Sequence, residues 1–224
     1  HLIREGFHIL GDSFSNVGRF FQNLTGKQRP YHKIVRSSYR KYVMLVIVST
    51  IPTGIIGVVF KDYVEQANSI ALVPACCLLV TAVFLVIADM VEPGDKKPKD
   101  ITYKESALVG VAQGIATLPG VSRSGTTITA CLLCGFDKKF AVKYSFIMSI
   151  PAVLGAVVLE VGDLTSLALT QTDVLYCVIA MLVAAVSGYL AIRFMMGLIR
   201  GKRFKYFAIY CAVVGVAAMI AIMR

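Results

Sequence analysis

The sequence predicts an all-α polytopic membrane protein that combines an inverted-topology repeat with a re-entrant helical hairpin. The first observation is composition: 57% of the 224 residues are hydrophobic and 16% are charged, against roughly 45–50% and about 25% in soluble domains. The second is that charged residues cluster between long apolar stretches, as they do around repeated bilayer crossings. The third is a pair of apolar segments that are too short to cross a bilayer.

The whole chain, residues 1–224, is predicted to be a single membrane domain. Near its start, apolar side chains recur at 3-4 spacing from Ile3 to Leu24, which predicts an amphipathic helix within residues 1–41. This helix lies either on the membrane surface or against the cytoplasmic face of the protein. Residues 25–41 carry six basic residues and no acid, so we expect a cytoplasmic loop there.

Five apolar stretches are long enough to cross the membrane as helices, two within residues 42–91 and three within residues 140–223. The connection at 61–69 is slightly acidic, and the one at 160–173 has three acids and no Lys or Arg. Both are therefore expected outside, and the more basic connections inside. The predicted spans are residues 42–60, 70–91, 140–159, 174–196 and 206–223.

Residues 106–136 form two short apolar pieces around a turn that is rich in Gly and Ser. At about 1.5 Å per residue, neither piece crosses a core of about 30 Å. Because basic residues flank both pieces, we expect a re-entrant hairpin whose two ends face the cytoplasm. Irregular backbone at this depth is tolerated where it is buried in protein or lines a wet cavity.

The order of the spans predicts the inverted repeat. The pair within 42–91 runs outward and then inward, whereas the pair within 174–223 runs inward and then outward. Such repeats place a binding site near the midplane of the membrane, at broken helices. We therefore expect the site in the hairpin at 106–136.

Charge and cysteine content argue against two kinds of site. The net charge is +10, but the basic residues flank apolar stretches instead of covering one soluble face, which disfavours nucleic-acid binding. Cys131 and Cys134 have CxxC spacing, yet no second pair and no nearby histidine completes a metal site. We expect all six cysteines to pack as small apolar residues.

The turn of the hairpin concentrates groups that bind an anion. Gly120 and Gly125 leave the backbone free to form a nest of N–H groups, and a helix starting near Thr126 points its positive end at the same place. Arg123 offers a planar fork of donors that matches a phosphate. Hydroxyl donors or candidate nucleophiles come from Ser122, Ser124, Thr126 and Thr127.

A polar break in a helix, satisfied by water and neighbouring groups, is the alternative interpretation of this turn. Serine and threonine often serve that purpose in membrane helices. An arginine between two serines fits it poorly, because a charged side chain within the membrane is costly unless it has a function. Phosphate binding is therefore the favoured interpretation.

The string LPGVSRSGTT at 118–127 resembles the second signature, PGxSRSxxT, of the undecaprenyl-diphosphate phosphatase (bacitracin-resistance) family. The resemblance continues through 134–136, the Lys-Tyr-Ser-Phe run at 143–146, and the Ile-Pro pairs at 51–52 and 150–151. It implies hydrolysis of undecaprenyl diphosphate to undecaprenyl phosphate and inorganic phosphate in the bacterial inner membrane. That reaction recycles the lipid carrier for cell-wall synthesis.

The resemblance also implies roles for individual residues. Ser122 and Arg123 match the phosphate-binding serine and arginine of the family and Ser124 the serine that follows, so these three are the expected catalytic residues. The expected substrate-binding residues are Gln113, Gly120, Gly125, Thr126 and Thr127. A divalent cation, Mg²⁺ or Ca²⁺, is implied as well, although this sequence by itself indicates no metal site. A homodimer is an assembly that the sequence leaves open.

The family has a first signature, of the form ExxxEFxPxSSxGH, that this sequence lacks. None of its three histidines, His1, His8 and His32, follows a Ser-Ser-x-Gly string. We therefore expect the sequence to begin after that segment. If the protein is naturally this short, the chain alone is expected to be inactive; if it is a fragment, the missing part holds half of the active site, including the acids and the histidine.

Two other functions were weighed. A transporter or flippase for a polyprenyl phosphate fits the inverted repeat and the broken helices, and it would release no phosphate in detergent. A lipid phosphatase of the acid-phosphatase class needs a histidine after its Ser-Arg, and no histidine follows Arg123.

Overall fold

The computed structural model describes residues 37–164, 171–200 and 204–223, together with seven positions between 5 and 16. From residue 37 onward the described chain forms eight helices and no β-strand beyond one isolated bridge. The helices are α1 (Ser38–Val59), α2 (Lys61–Ser69), α3 (Leu72–Met90), α4 (Tyr103–Ile115), α5 (Arg123–Leu133), α6 (Lys138–Leu164), α7 (Gln171–Arg200) and α8 (Phe204–Ile222).

The all-α fold class is confirmed. Five of the described helices, α1, α3, α6, α7 and α8, are long and apolar enough to cross a membrane, and the five predicted spans overlap them. Most of the predicted amphipathic helix and residues 25–36 of the predicted loop lie outside the described residues, whereas residues 38–41 of that loop belong to the first turn of α1. The inverted repeat and the side of the membrane on which each connection lies stay predictions.

The described positions near the start of the chain contact the beginning of α1 through Arg40. Its guanidinium donates from Nε to Glu5 Oε2 at 2.9 Å and from Nη1 to Asp12 Oδ2 at 2.6 Å. Ile9, between those two acids, is buried. These described positions therefore pack on the protein itself.

The two short helices begin where capping residues place them. Thr102 and Glu105 form a capping box, in which Glu105 N donates to Thr102 Oγ1 at 3.2 Å and Thr102 N donates to Glu105 Oε2 at 2.8 Å. Because this box satisfies N–H groups that have no partner within a helix, α4 begins at Tyr103, three residues before the predicted piece.

Lys96 holds the outer ends of α4 and α5 together. Its Nζ donates to Cys134 O at 3.0 Å, just after α5, and to Glu105 at the start of α4. Its backbone N–H donates to Gly135 O at 3.2 Å. Burial acts to raise the pKa of Glu105, but hydrogen bonds from Lys96 and Thr102 together lower that pKa below its usual value. The two short helices therefore form a hairpin. The ion pair between Lys96 and Glu105 lies at the end of the hairpin opposite the turn.

Small residues on α4 let α1 approach closely. Ser106, Gly110 and Gly114 follow one another at four-residue spacing, which places them on one face of α4. A Cβ at Gly110 would lie 2.1 Å from Ser49 O of α1, and Thr53 Oγ1 of α1 donates to Gly110 O at 2.8 Å. Close approach over small residues is how membrane helices gain packing contacts when apolar burial gives no driving force.

A buried tyrosine joins α6 to this pair. Tyr144 OH donates to Leu45 O of α1 at 2.9 Å and lies 2.8 Å from Ser106 Oγ of α4. Around it, aromatic rings from α1, α6 and the residue at 136 pack with centroids less than 6 Å apart. These contacts fix the position of α6 relative to the hairpin.

Candidate functional site

The hairpin turn, residues 116–122, connects α4 to α5 and adopts a conformation that only glycine allows at one position. Gly120 has φ +90°, and a Cβ there would lie 2.3 Å from Pro74 O of α3. Both the positive φ and the close approach exclude a side chain. Gly120 is therefore required by the shape of the turn and by its packing against α3.

The predicted helix start near Thr126 is wrong, because α5 begins at Arg123. Ser122 is its N-cap: its backbone is extended, and its Oγ accepts a hydrogen bond from Gly125 N at 3.1 Å. The cap supplies an acceptor for an N–H group that the helix cannot satisfy. Residues 123–125, predicted from the sequence to lie in the hairpin turn, consequently form the first turn of α5.

The capping bond also corrects the predicted role of Gly125 in a nest of N–H groups. Its N–H is already bonded to Ser122 Oγ, and it is not among the positive-φ glycines of the described chain. A Cβ at Gly125 would lie 3.0 Å from Ser122 Oγ and 3.3 Å from Leu85 Cδ2. This glycine therefore makes room for the cap and for α3.

A cavity of about 470 Å³ opens beside the hairpin turn. Its volume lies within the range of small-molecule sites. Three residues expected from the sequence, Gly120, Arg123 and Ser124, line it. The remaining lining residues come from the turn and from α6: Ala116, Thr117, Leu118, Pro119, Val121, Ser145, Phe146 and Ser149.

Arg123 is the cationic group of this cavity. Its side chain is exposed, and among the described residues no carboxylate lies within 4.0 Å of its guanidinium. The nearest acid along the chain before it, Glu105, pairs with Lys96 instead. An arginine without an internal partner keeps its full fork of donors for an anion.

Hydrogen-bond donors at the start of α5 also favour the binding of an anion. The N–H groups of Arg123 and Ser124 occupy the first two helical positions, where no acceptor exists within the helix. The Ser124 hydroxyl makes no hydrogen bond to any described residue. Together with the positive end of the helix dipole, these groups give the cavity the character of an anion site.

The other residues expected at the site do not line the cavity. Thr127 Oγ1 donates to Arg123 O at 2.9 Å and pairs with Ser145 Oγ, which ties α5 to α6. Gln113 is 1% exposed and reaches Met148 O of α6 at 3.5 Å. Gln113 Oε1 and Thr126 Oγ1 are buried without a hydrogen-bond partner among the described residues. These side chains lie within the protein around the site.

Three hydroxyl residues of the cavity escaped the sequence reasoning: Thr117, Ser145 and Ser149. Ser145 and Ser149 are four residues apart on α6, so they share one helix face. Two hydroxyls on one face of a mostly apolar span were the available signal. Their assignment to this site also required the packing of α6 against α5, which the sequence does not reveal.

The cavity residues differ from the ligands that the implied divalent cation prefers. Magnesium and calcium prefer several carboxylate and carbonyl oxygens. The cavity residues supply hydroxyls, carbonyls and a guanidinium but no carboxylate or imidazole, and the described residues contain no group of three potential His, Cys, Asp or Glu ligands. These residues by themselves do not fit such a cation, which stays a prediction.

Comparison with known proteins agrees with the motif. The family described as bacitracin resistance protein BacA matches residues 10–217. Curated relatives named undecaprenyl-diphosphatase include those of Methanobrevibacter smithii, 43% identical over 80% of this chain and 64% of the relative, and Halothermothrix orenii, 40% identical over 81% and 70%.

A third relative of the same name, from Bacteroides fragilis, is 37% identical over 92% of this chain and 78% of its own length. The chain spans about two thirds of the length of the first two relatives. The family match extends from before α1 into α8 and includes the whole hairpin with its Arg123 cavity. This chain therefore belongs to the bacitracin resistance protein BacA family.

Proposed function

We propose that this multi-pass membrane protein hydrolyses undecaprenyl diphosphate to undecaprenyl phosphate and inorganic phosphate, in the inner membrane of the cell. The single observation that carries the proposal is the Arg123 cavity, where an arginine that pairs with no carboxylate among the described residues lies at the N-terminus of α5. The relatives named undecaprenyl-diphosphatase support the choice of substrate.

The reaction transfers the terminal phosphoryl group to water. The bond from the bridging oxygen to the terminal phosphorus breaks, the water oxygen stays on the inorganic phosphate, and undecaprenyl phosphate leaves with the bridging oxygen. Catalysis of such a transfer is mostly positioning and stabilisation of charge on the phosphoryl oxygens. We assign that stabilisation to the guanidinium of Arg123 and to the first N–H groups of α5.

The serines divide between two tasks in this proposal. Ser124 lines the cavity with a hydroxyl that bonds no residue in the described part of the chain, and it is expected to donate to a phosphate oxygen. Ser122 keeps the helix start in place through its cap. Leu118 and Phe146 also line the cavity, and they offer apolar contact to the first isoprenoid units of the lipid.

Phosphate release from undecaprenyl diphosphate by the purified full-length protein in detergent micelles tests the proposal. A phosphatase releases inorganic phosphate in micelles, whereas a flippase needs two compartments and releases none. Transport into proteoliposomes without phosphate release in micelles would replace the phosphatase with the transporter. Chelation with EDTA followed by Mg²⁺ or Ca²⁺ in the same assay tests the expected cation.

Two finer points belong to the same proposal. Both ends of the hairpin face the cytoplasm: the contacts of Lys96 with both ends support a common face, and the basic residues that flank the hairpin favour the cytoplasmic one. Cysteines introduced at 104 and 138, in a background without the native cysteines, should react with an impermeant reagent from the same face; reaction from opposite faces contradicts this. Light scattering of the purified protein decides between monomer and homodimer.

A further inference from the structure

We infer that Thr81 of α3 is a positioning residue that sets the conformation of the hairpin turn. Its Oγ1 donates to Gly120 O at 3.0 Å and accepts from Ser122 N at 2.9 Å. The side chain is 1% exposed. One hydroxyl on a neighbouring helix thus bonds the turn at two backbone groups, both just before Arg123.

A hydroxyl is suited to this task because it donates and accepts at once. Replacement by an apolar group of the same shape would leave the carbonyl of Gly120 and the N–H of Ser122 without their partner. A backbone group left unsatisfied in a buried place is more destabilising than the net gain from one hydrogen bond. Thr81 therefore biases the turn strongly towards the observed conformation.

The hydrogen bonds of Thr81 are connected through Ser122 to the start of α5. Ser122, whose N–H bonds Thr81, is itself the N-cap that accepts from Gly125 N. A shift of the backbone at Ser122 therefore moves the cap, and with it the first turn that carries Arg123. Thr81 acts on the cavity through the backbone, since it is not among the residues that line it.

Thr81 lies in the middle of a surface of α3 that packs against the hairpin. We call this surface the template face. Pro74 and Cys77 contact the turn at Gly120, Leu85 approaches Gly125, and Phe84 O accepts from Thr129 Oγ1 at 3.0 Å. The spacing of three or four residues places these positions on one side of the helix. The template face consists of Pro74, Cys77, Thr81, Phe84 and Leu85.

Hydrogen exchange tests this inference independently of catalysis. Thr81→Val keeps the shape of the side chain and removes the hydroxyl, whereas Thr81→Ser keeps the hydroxyl. In a peptide that covers 117–125, we expect roughly tenfold or faster exchange of the Ser122 amide in Thr81→Val and near wild-type exchange in Thr81→Ser. Thr50→Val is the matched control, because the Thr50 hydroxyl bonds Val46 O of its own helix.

The kinetic part rests on the proposed phosphatase activity. We expect kcat of Thr81→Val to fall roughly tenfold, with KM changed much less, since a displaced donor stabilises the transition state less well. Thr81→Ser should restore most of kcat, and Thr50→Val should stay near wild type. If the wild-type protein releases no phosphate, the proposed function fails, and hydrogen exchange still decides the role of Thr81.

Three results would overturn the inference. These are unchanged exchange at Ser122 in Thr81→Val, equal impairment of Thr81→Val and Thr81→Ser, and a loss in Thr81→Val no larger than that in Thr50→Val. If Thr81→Val does not fold, Thr81→Cys is measured in the same way, because its thiol is only a weak donor and acceptor. Wild-type exchange in that variant would likewise contradict a positioning role.

Discussion

At the scale of single residues, Arg123 is the group on which the proposed activity depends most. Arg123→Lys keeps the charge but loses the planar fork of donors. In the full-length protein, we expect phosphate release to fall at least about tenfold, because lysine keeps the charge and loses part of an interaction whose complete removal costs about 2.7–4 kcal/mol. The measurement is kcat/KM in micelles. Arg193→Lys, on the exposed surface of α7, is the control and should behave as wild type.

Near-normal turnover of Arg123→Lys, in a protein that folds normally, would mean that the arginine is structural. Arg123→Ala adds an independent observation, since it should weaken competition by inorganic pyrophosphate. Unchanged competition would place the anion elsewhere in the protein.

Ser122 and Ser124 should separate stability from activity. Ser122→Ala removes the N-cap of α5, and such a loss typically destabilises by about 0.5–2 kcal/mol. Ser124→Ala removes a hydroxyl that bonds no described residue, so it should leave unfolding unchanged and reduce phosphate release. Thermal unfolding and turnover, measured on both variants, check this. A larger loss of stability in Ser124→Ala than in Ser122→Ala would reverse the two assignments.

The sequence predicted the chemistry of these residues better than their geometry. Gly120, Arg123 and Ser124 line the cavity, because an anion site needs those residue types whatever the local backbone does. The sequence indicated a nest at Gly125 because Ser122 could either cap a helix or lie in a turn outside a helix. That choice is made by the bond between Ser122 Oγ and Gly125 N, which residue types alone do not disclose.

At the scale of helices and turns, the ion pair of Lys96 with Glu105 closes the open end of the hairpin. The pKa of Glu105 is lowered in the folded state, so its contribution to stability is present above the ordinary glutamate pKa of about 4.3. It is lost as the pH falls through the lowered value. Glu105→Gln should therefore unfold at a lower temperature than wild type at neutral pH, and the difference should vanish in acid.

Unfolding temperatures measured from neutral pH down to about pH 3 check this prediction. Lys97→Ala is the control, because Lys97 bonds Asp100 through its backbone N–H, which the substitution keeps. A difference between Glu105→Gln and wild type that persists in acid would show that the amide disturbs the capping box and not the ion pair.

At the scale of the whole molecule, two helix pairs make the most extensive contacts, α3 with α8 and α1 with α4. Neither pair consists of neighbours along the chain. A glycine allows close approach in each pair. A Cβ at Gly110 of α4 would lie 2.1 Å from Ser49 O of α1, and a Cβ at Gly215 of α8 would lie 2.9 Å from Leu79 Cδ2 of α3. The apolar spans were predictable because lipid requires them. Their partners were not, because hydropathy does not distinguish a glycine at a contact from one facing lipid.

Gly110→Ala and Gly57→Ala should therefore have opposite effects. A methyl group at Gly110 would lie 2.1 Å from Ser49 O, whereas nothing lies within 4 Å of the position it would take at Gly57. Forcing atoms into a packed contact typically destabilises by about 1–3 kcal/mol, and alanine in an open helical position stabilises by about 0.5–1 kcal/mol. Unfolding in detergent measures both, and equal effects would mean that α1 and α4 do not pack as described.

The template face also has a consequence for synthesis on the ribosome. Because α3 precedes the hairpin in the chain, the surface that shapes the turn emerges before the turn itself. Another partner of α3, α8, follows the hairpin, α6 and α7 in the chain and is therefore made after them. A nascent chain that has reached the end of α6 already contains the template face, the hairpin turn, and Ser145 and Ser149 of α6, so the pocket can take shape before translation is complete.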